Sequence, residues 1–191
     1  FAHVLPVPMM NLMNGGPGSN HGPSFQEFMI VPAGAPDFKE AVRMGCEIFH
    51  QLKAILNMDG YSTAVGNDGG FSPDISSNEK AICYIVKAIS EAGYQPGKDV
   101  TLALDAAASE LWVNGKYRLA DKENMEMSSE ELIEYYEYLC DKFPIRSIED
   151  GLDQDDWDGW CSLTQRLGSK ISLVGDDFFV TNPSRLKMGA N

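Results

Sequence analysis

Three acidic residues stand at matching places in the chain: Asp105 closes the apolar run TLALD, Glu149 closes IRSIE, and Asp176 follows ISLVG. Apolar runs of this length read as buried strands. If the three lie side by side and parallel, their C-terminal ends bring the carboxylates to one face. Like charges gathered there raise one another's pKa, and a hard divalent cation with oxygen ligands removes that cost. An all-carboxylate set without Cys or His points to Mg2+ rather than zinc. The competing reading of any one of them is an acid that caps the next helix or faces solvent. Asp150 and Asp177 read as supporting residues, although the sequence does not choose within ED or DD. A further acid, Asp68, sits in AVGNDGGFSP beside Asn67 and two glycines, on a stretch too broken for helix or strand.

The elements that must position these acids follow from periodicity. VPMMNLMNGG and QEFMIVPAG read as two strands, the first running into the loop GGPGSNHGPS. From Asp37 to Leu56 apolar residues recur every three to four positions, the spacing of a helix face, with Pro36 at the entrance. SSNEKAICYIVKAISEAG reads as a second helix, with Ser76, Ser77 and Asn78 as capping residues and Gly93 as its stop. In the second half, VTLALDAA is a strand and WVNGKYRLA a hairpin turning at Asn114 and Gly115. SSEELIEYYEYLCDKF is a helix opened by a capping box of Ser128 and Glu131. IRSIEDG is a strand, DDWDGWCSLTQRLG a helix and ISLVGDDFFV a strand. The alternation indicates an α/β fold, a parallel sheet covered by helices. About five strands are countable, where a closed (β/α)8 barrel needs about eight.

With 191 residues, 43% hydrophobic and 23% charged, the chain suits one domain or part of a larger one and can bury a core. A net charge of −13 without any cluster of Lys or Arg excludes nucleic acid and anionic membranes as expected partners. No apolar run approaches the roughly 20 residues of a membrane span, and nothing resembles a signal peptide, which reads as a cytoplasmic protein. Cys46, Cys83, Cys140 and Cys161 lack disulfide or zinc spacing and read as buried reduced thiols. Tyr135, Tyr136 and Tyr138 are expected to straddle core and solvent on one helix. The methionines and the three tryptophans read as packing residues, and His3 and His50 as no part of the site. The chain opens inside an apolar stretch without Met and stops as a helix begins, which reads as an excerpt of a longer protein.

LPVPMMNLMNGG, QEFMIVPAGA, AVGNDGGFSP, SIEDGLDQDDWDGW and LVGDDFFVTNP, in this order along the whole chain, resemble enolase, and most of all its bacterial form. The resemblance implies a partial enolase-type (β/α)8 TIM barrel with an initial ββαα arrangement. Residues 1–191 would be an incomplete C-terminal barrel domain, without the preceding α+β domain and the last strands. It implies a glycolytic hydro-lyase, phosphopyruvate hydratase, that interconverts 2-phosphoglycerate and phosphoenolpyruvate with Mg2+, usually as a homodimer. Asp105, Glu149 and Asp176 fall on the metal-ligand positions, and Gln26 and Glu27 on substrate-pocket positions, with Glu27 helping to handle the departing hydroxyl. Asp68 falls on the position of the acid that protonates that hydroxyl.

Departures from the family pattern accompany these matches. Where the family has Asp-Glu before the double glycine, this chain has Asn67 and Asp68. The substrate-contacting histidine expected two residues beyond NGG is Gly18, and His21, three residues later, is the candidate in its place. The family's base lysine, its second lysine and its Ser-His-Arg segment have no counterpart in residues 1–191, so the chain alone is expected not to turn over substrate. The alternative function is a catalytically impaired enolase-like binding or structural protein, and a more distant one is another acid-sugar dehydratase of the superfamily.

Overall fold

A computed structural model describes residues 4–16, 22–119 and 125–190 of the chain. Strands β1 (Met10–Asn14) and β2 (Glu27–Val31) come first, then helices α1 (Phe38–Met58) and α2 (Asn78–Glu91). β3 (Thr101–Asp105) leads through a 3-10 turn (Ala108–Leu111) into the short strands β4 (Trp112–Val113), β5 (Lys116–Leu119) and β6 (Met125–Met127). α3 (Ser129–Lys142), β7 (Ile145–Glu149), α4 (Trp157–Leu167), β8 (Ser172–Val174) and α5 (Pro183–Gly189) complete the order.

The helices form where capping and apolar spacing coincide. Asp37 accepts the Glu40 N–H at 2.9 Å to open α1, which buries Ala41, Met44, Ile48, Leu52 and Ile55 along one stripe. Each fully buried Ile or Leu contributes about 1.5–3 kcal/mol relative to an exposed one. The Ser128–Glu131 capping box is present at α3, and Gly93 takes a φ of +90° just past α2. Asn114 and Gly115 both have positive φ between β4 and β5, the geometry of a tight hairpin turn.

The main sheet has the order β1-β2-β3-β7-β8, and β4-β5-β6 make a separate three-stranded sheet. The expectation of a parallel sheet holds for β3, β7 and β8, whereas β2 runs antiparallel to both β1 and β3. A chain that goes directly from β1 to β2 without a crossover helix can pair them only antiparallel. Among the described residues the sheet is open, with β1 and β8 as its edges, and does not close into a barrel.

Directly paired residues point to the same side of a sheet, so the register sorts the side chains. One side carries Phe28, Ile30, Leu102, Leu104 and Ile148, which join the helices in the core. The other carries Glu27, Met29, Thr101, Ala103, Asp105, Ser147 and Glu149. Large apolar residues thus bind the helices, and apart from Met29 the opposite side named here is small or polar.

Several local expectations change. The strand read as ISLVGDDFFV ends at Val174, because Asp176 to Thr181 form turns with positive φ at Val180 and Thr181. The strand read as VTLALDAA ends at Asp105, since Ala107 adopts a φ of +42°. The cysteines are not buried: all are free thiols on helices, with Cys46, Cys83 and Cys161 exposed and only Cys140 half-buried. Cys46, Cys83 and Cys161 lie away from the stripes that face the sheet, whereas Cys140 packs against the margin of the core. Tyr135 and Tyr136 are buried and Tyr138 is exposed, as their helical spacing predicts.

Candidate functional site

The strand register places the candidate residues in one row. Asn14 pairs with Glu27, Glu27 with Asp105, Asp105 with Glu149, and Glu149 with Val174. Glu27 begins an antiparallel strand while Asp105 and Glu149 end parallel ones, so all three reach the same end of the sheet. Adjacent strands lie about 4.8 Å apart, which sets three carboxylates side by side. Gln26, half-buried, ties the row together through its backbone: its N–H donates to Asp105 O at 3.0 Å, and its C=O accepts from Gly15 N at 3.0 Å. Asp176 lies two residues beyond β8 and is exposed.

The electrostatics record this crowding. Burial, then the charges of Glu149, Asp150 and Glu27, push the Asp105 carboxyl up to about 7, against the opposing pull of the Ala107 N–H at 2.9 Å. Glu149 is raised by burial first and then by Asp150, Asp176, Glu27 and Asp177. Glu27 is raised by burial and by Asp68. The donors are all carboxylate oxygens, and Asp105 and Glu149 are each raised by burial and by neighbouring carboxylates, so their chemistry fits a hard divalent cation. They do not form a ready-made cage: among the described residues, no three His, Cys, Asp or Glu side chains converge closely enough to hold a metal ion.

Asp68 is exposed, on the loop between Val65 and Phe71. Gly66 N–H donates to Gly70 O at 2.8 Å, closing the loop, and Gly69 supplies a φ of +87°. The loop is stitched to the edge strand by Asn14 N–H to Phe71 O (2.8 Å) and Phe71 N–H to Leu12 O (2.9 Å). Phe71 is buried and stacks on Phe49 at 4.3 Å. These ties bring Asp68 within electrostatic reach of Glu27.

Sequence reasoning missed Asn14. Its carboxamide sits between the two ends of the loop, and a Cβ on Gly66 would lie 2.2 Å from its Nδ2, one on Gly70 2.8 Å from its Oδ1. Asn11 donates to Asn14 Oδ1, and Asn14 Nδ2 donates to Gly70 O at 3.4 Å. The available signal was two asparagines three apart in an otherwise apolar strand, MNLMN. The site is therefore built around an amide peg at one side and a carboxylate row at the centre.

Asp150, read as a supporting residue, is buried and bonds backbone rather than facing the row. His50 lies exposed on α1 and is no part of the strand row. His21 and Gly18 lie outside the described residues. No helix among the described residues is long and apolar enough to cross a membrane. A family model described as the enolase C-terminal TIM barrel domain matches residues 2–191.

Proposed function

The chain belongs to the enolase C-terminal TIM barrel family, and from that premise we propose that it forms most of the active-site end of a Mg2+-dependent hydro-lyase interconverting 2-phosphoglycerate and phosphoenolpyruvate. The observation that carries this reading is the row Glu27, Asp105, Glu149 at one end of the sheet, on the side away from the helices. Asp105, Glu149 and Asp176 would hold Mg2+, which when bound stabilises the extra negative charge that develops on a carboxylate substrate as its α-proton leaves. Gln26 and His21 serve substrate binding. Residues 1–191 belong to a single barrel domain, completed by strands beyond the five of this sheet. Its parent is a bacterial-type glycolytic enzyme, cytoplasmic and homodimeric.

Glu27 and Asp68 handle the departing hydroxyl as a pair. Burial and the neighbouring Asp68 charge both favour a proton on Glu27, so Glu27 holds it at a pH where an ordinary glutamate would be ionised. With that proton Glu27 helps to handle the departing hydroxyl as a hydrogen-bond donor. Asp68, exposed on its glycine loop, is the acid that protonates the departing hydroxyl, as its place in the family pattern implies.

A second reading, an impaired enolase-like binding protein, is favoured by one feature. Asp68 is one methylene shorter than the glutamate of the family pattern, and a misplacement of about 1 Å can cost on the order of 100-fold in rate. Binding of Mg2+ to the 191-residue chain, followed by titration calorimetry, tests the main proposal. Asp105→Ala, Glu149→Ala and Asp176→Ala are each expected to weaken it by about tenfold or more. Unchanged affinity in all three would remove the metal centre from this account.

A further inference from the structure

Asp150 follows the last residue of β7 and is only 3% exposed, yet its backbone lies in the left-handed region at a φ of +45°. That conformation favours glycine. A glycine stands next to it, Gly151, but Gly151 does not take the positive φ; it is needed for close packing, since a Cβ there would lie 3.2 Å from Leu163 and 3.3 Å from Ile148. The chain therefore accepts an unfavourable backbone at Asp150 while keeping its side chain. What the side chain does is clear from its partners. Oδ1 accepts the N–H groups of Asp176 at 3.1 Å and Phe178 at 3.2 Å, and Oδ2 accepts that of Asp177 at 2.9 Å.

The backbone around Asp150 joins the neighbouring strand ends as well. Asp150 N–H donates to Val174 O at 3.0 Å, Ala108 N–H donates to Asp150 O at 2.9 Å, and Ala106 N–H donates to Glu149 O at 3.0 Å. One residue thus connects the segment after β3, the end of β7 and the loop after β8. These are the segments that carry Asp105, Glu149 and Asp176.

We propose that Asp150 is a positioning residue of the site: its carboxylate suspends the 176–178 loop from the end of β7 and so holds Asp176 at the strand end that Glu149 closes. The proposal rests on the reading of those three acids as a metal centre. Beyond Val174 the loop has no strand pairing; Phe178 is anchored against Trp157 and Trp160, and the Asp150 carboxylate is the acceptor for the N–H groups of Asp176, Asp177 and Phe178, which lose it in its absence.

The test uses amide hydrogen exchange on the metal-free 191-residue chain, with Asp150→Gly and Asp150→Asn. The glycine variant relieves the backbone and removes all three acceptor contacts, and is expected to speed exchange at Asp176, Asp177 and Phe178 by at least about tenfold, with Leu52 and Ile85 in α1 and α2 unchanged. The asparagine variant retains Oδ1 and is expected to release Asp177 alone. Mg2+ affinity should fall by about tenfold in Asp150→Gly, as for the loss of other residues that orient metal ligands. Unchanged exchange in the loop, or an equal acceleration everywhere, would overturn the proposal. So would a loosened loop with undiminished Mg2+ affinity in a chain whose binding Asp105→Ala weakens. If Asp105→Ala has no effect on Mg2+ either, the metal reading fails separately and the exchange pattern alone decides what Asp150 holds.

Discussion

Glu27 shows how a site acquires its chemistry from placement more than from residue type. It is an unremarkable strand acid in QEFMIV, but the antiparallel register puts it against Asp105, and the glycine loop brings Asp68 near it. Both burial and that second carboxylate raise its pKa. Asp68→Asn removes the nearby negative charge, so Glu27 should ionise more readily and its pKa should fall, while burial keeps it above the ordinary glutamate value. Carbon-13 NMR of the Glu27 carboxyl through a pH titration checks this, and an unmoved titration would separate Asp68 from the site.

At the scale of elements, the 66–70 loop is shaped by its fit around Asn14. Gly69 is required by its positive φ and has nothing near its missing side chain, whereas Gly66 and Gly70 are required by contact with the Asn14 carboxamide. Two kinds of glycine imply two kinds of response. Gly69→Ala should cost about 1–2 kcal/mol from the left-handed backbone alone, with or without Asn14. Gly66→Ala should cost about 1–3 kcal/mol through overpacking, and part of that should return when Asn14→Ala removes the obstacle. Urea unfolding of the three single variants and the two doubles with Asn14→Ala measures the coupling; additive costs at Gly66 and Asn14 would contradict the peg.

For the molecule as a whole, gathering acids at one end of an open sheet sets a dependence on pH. Asp105, raised to about 7, keeps in the folded chain a proton that the unfolded chain releases near an ordinary aspartate value of about 3.9. Stability from this group is therefore complete below that lower value and is lost as pH rises through the window up to about 7. Glu27 and Glu149 shift in the same direction and add to the loss. Thermal unfolding of the metal-free chain should show a falling Tm across this range, and Mg2+ should raise Tm most at the upper end, where the carboxylates are ionised. A Tm that climbs steadily over the same interval would mean that burial and neighbouring charge do not hold protons on these acids.

Periodicity, capping residues and turn chemistry are local, and for that reason α1 to α4, the Asn114–Gly115 hairpin and the acid-ended strands could all be read from residues a few positions apart. The three acids at the strand ends came from the same local reading, and the likeness of the motifs to enolase added Gln26 and Glu27 and the role of Asp68. Strand order and direction could not be read in this way, because pairing joins residues as distant as Glu27 and Asp105 and depends on which edges meet. The same limit explains the thiols: apolar neighbours in sequence suggested burial, but the helix faces that packed on the sheet left Cys46, Cys83 and Cys161 outside. The sequence by itself determined which residues are acidic, amide or glycine and which elements carry them. Only the tertiary structure decided that Glu27 joins the carboxylate row, that Asn14 fills the base of the glycine loop, and that Asp150 turns from the row to hold the Asp176 loop. Those roles arise from contacts between segments far apart in the chain, where neither spacing nor residue type contains the geometry.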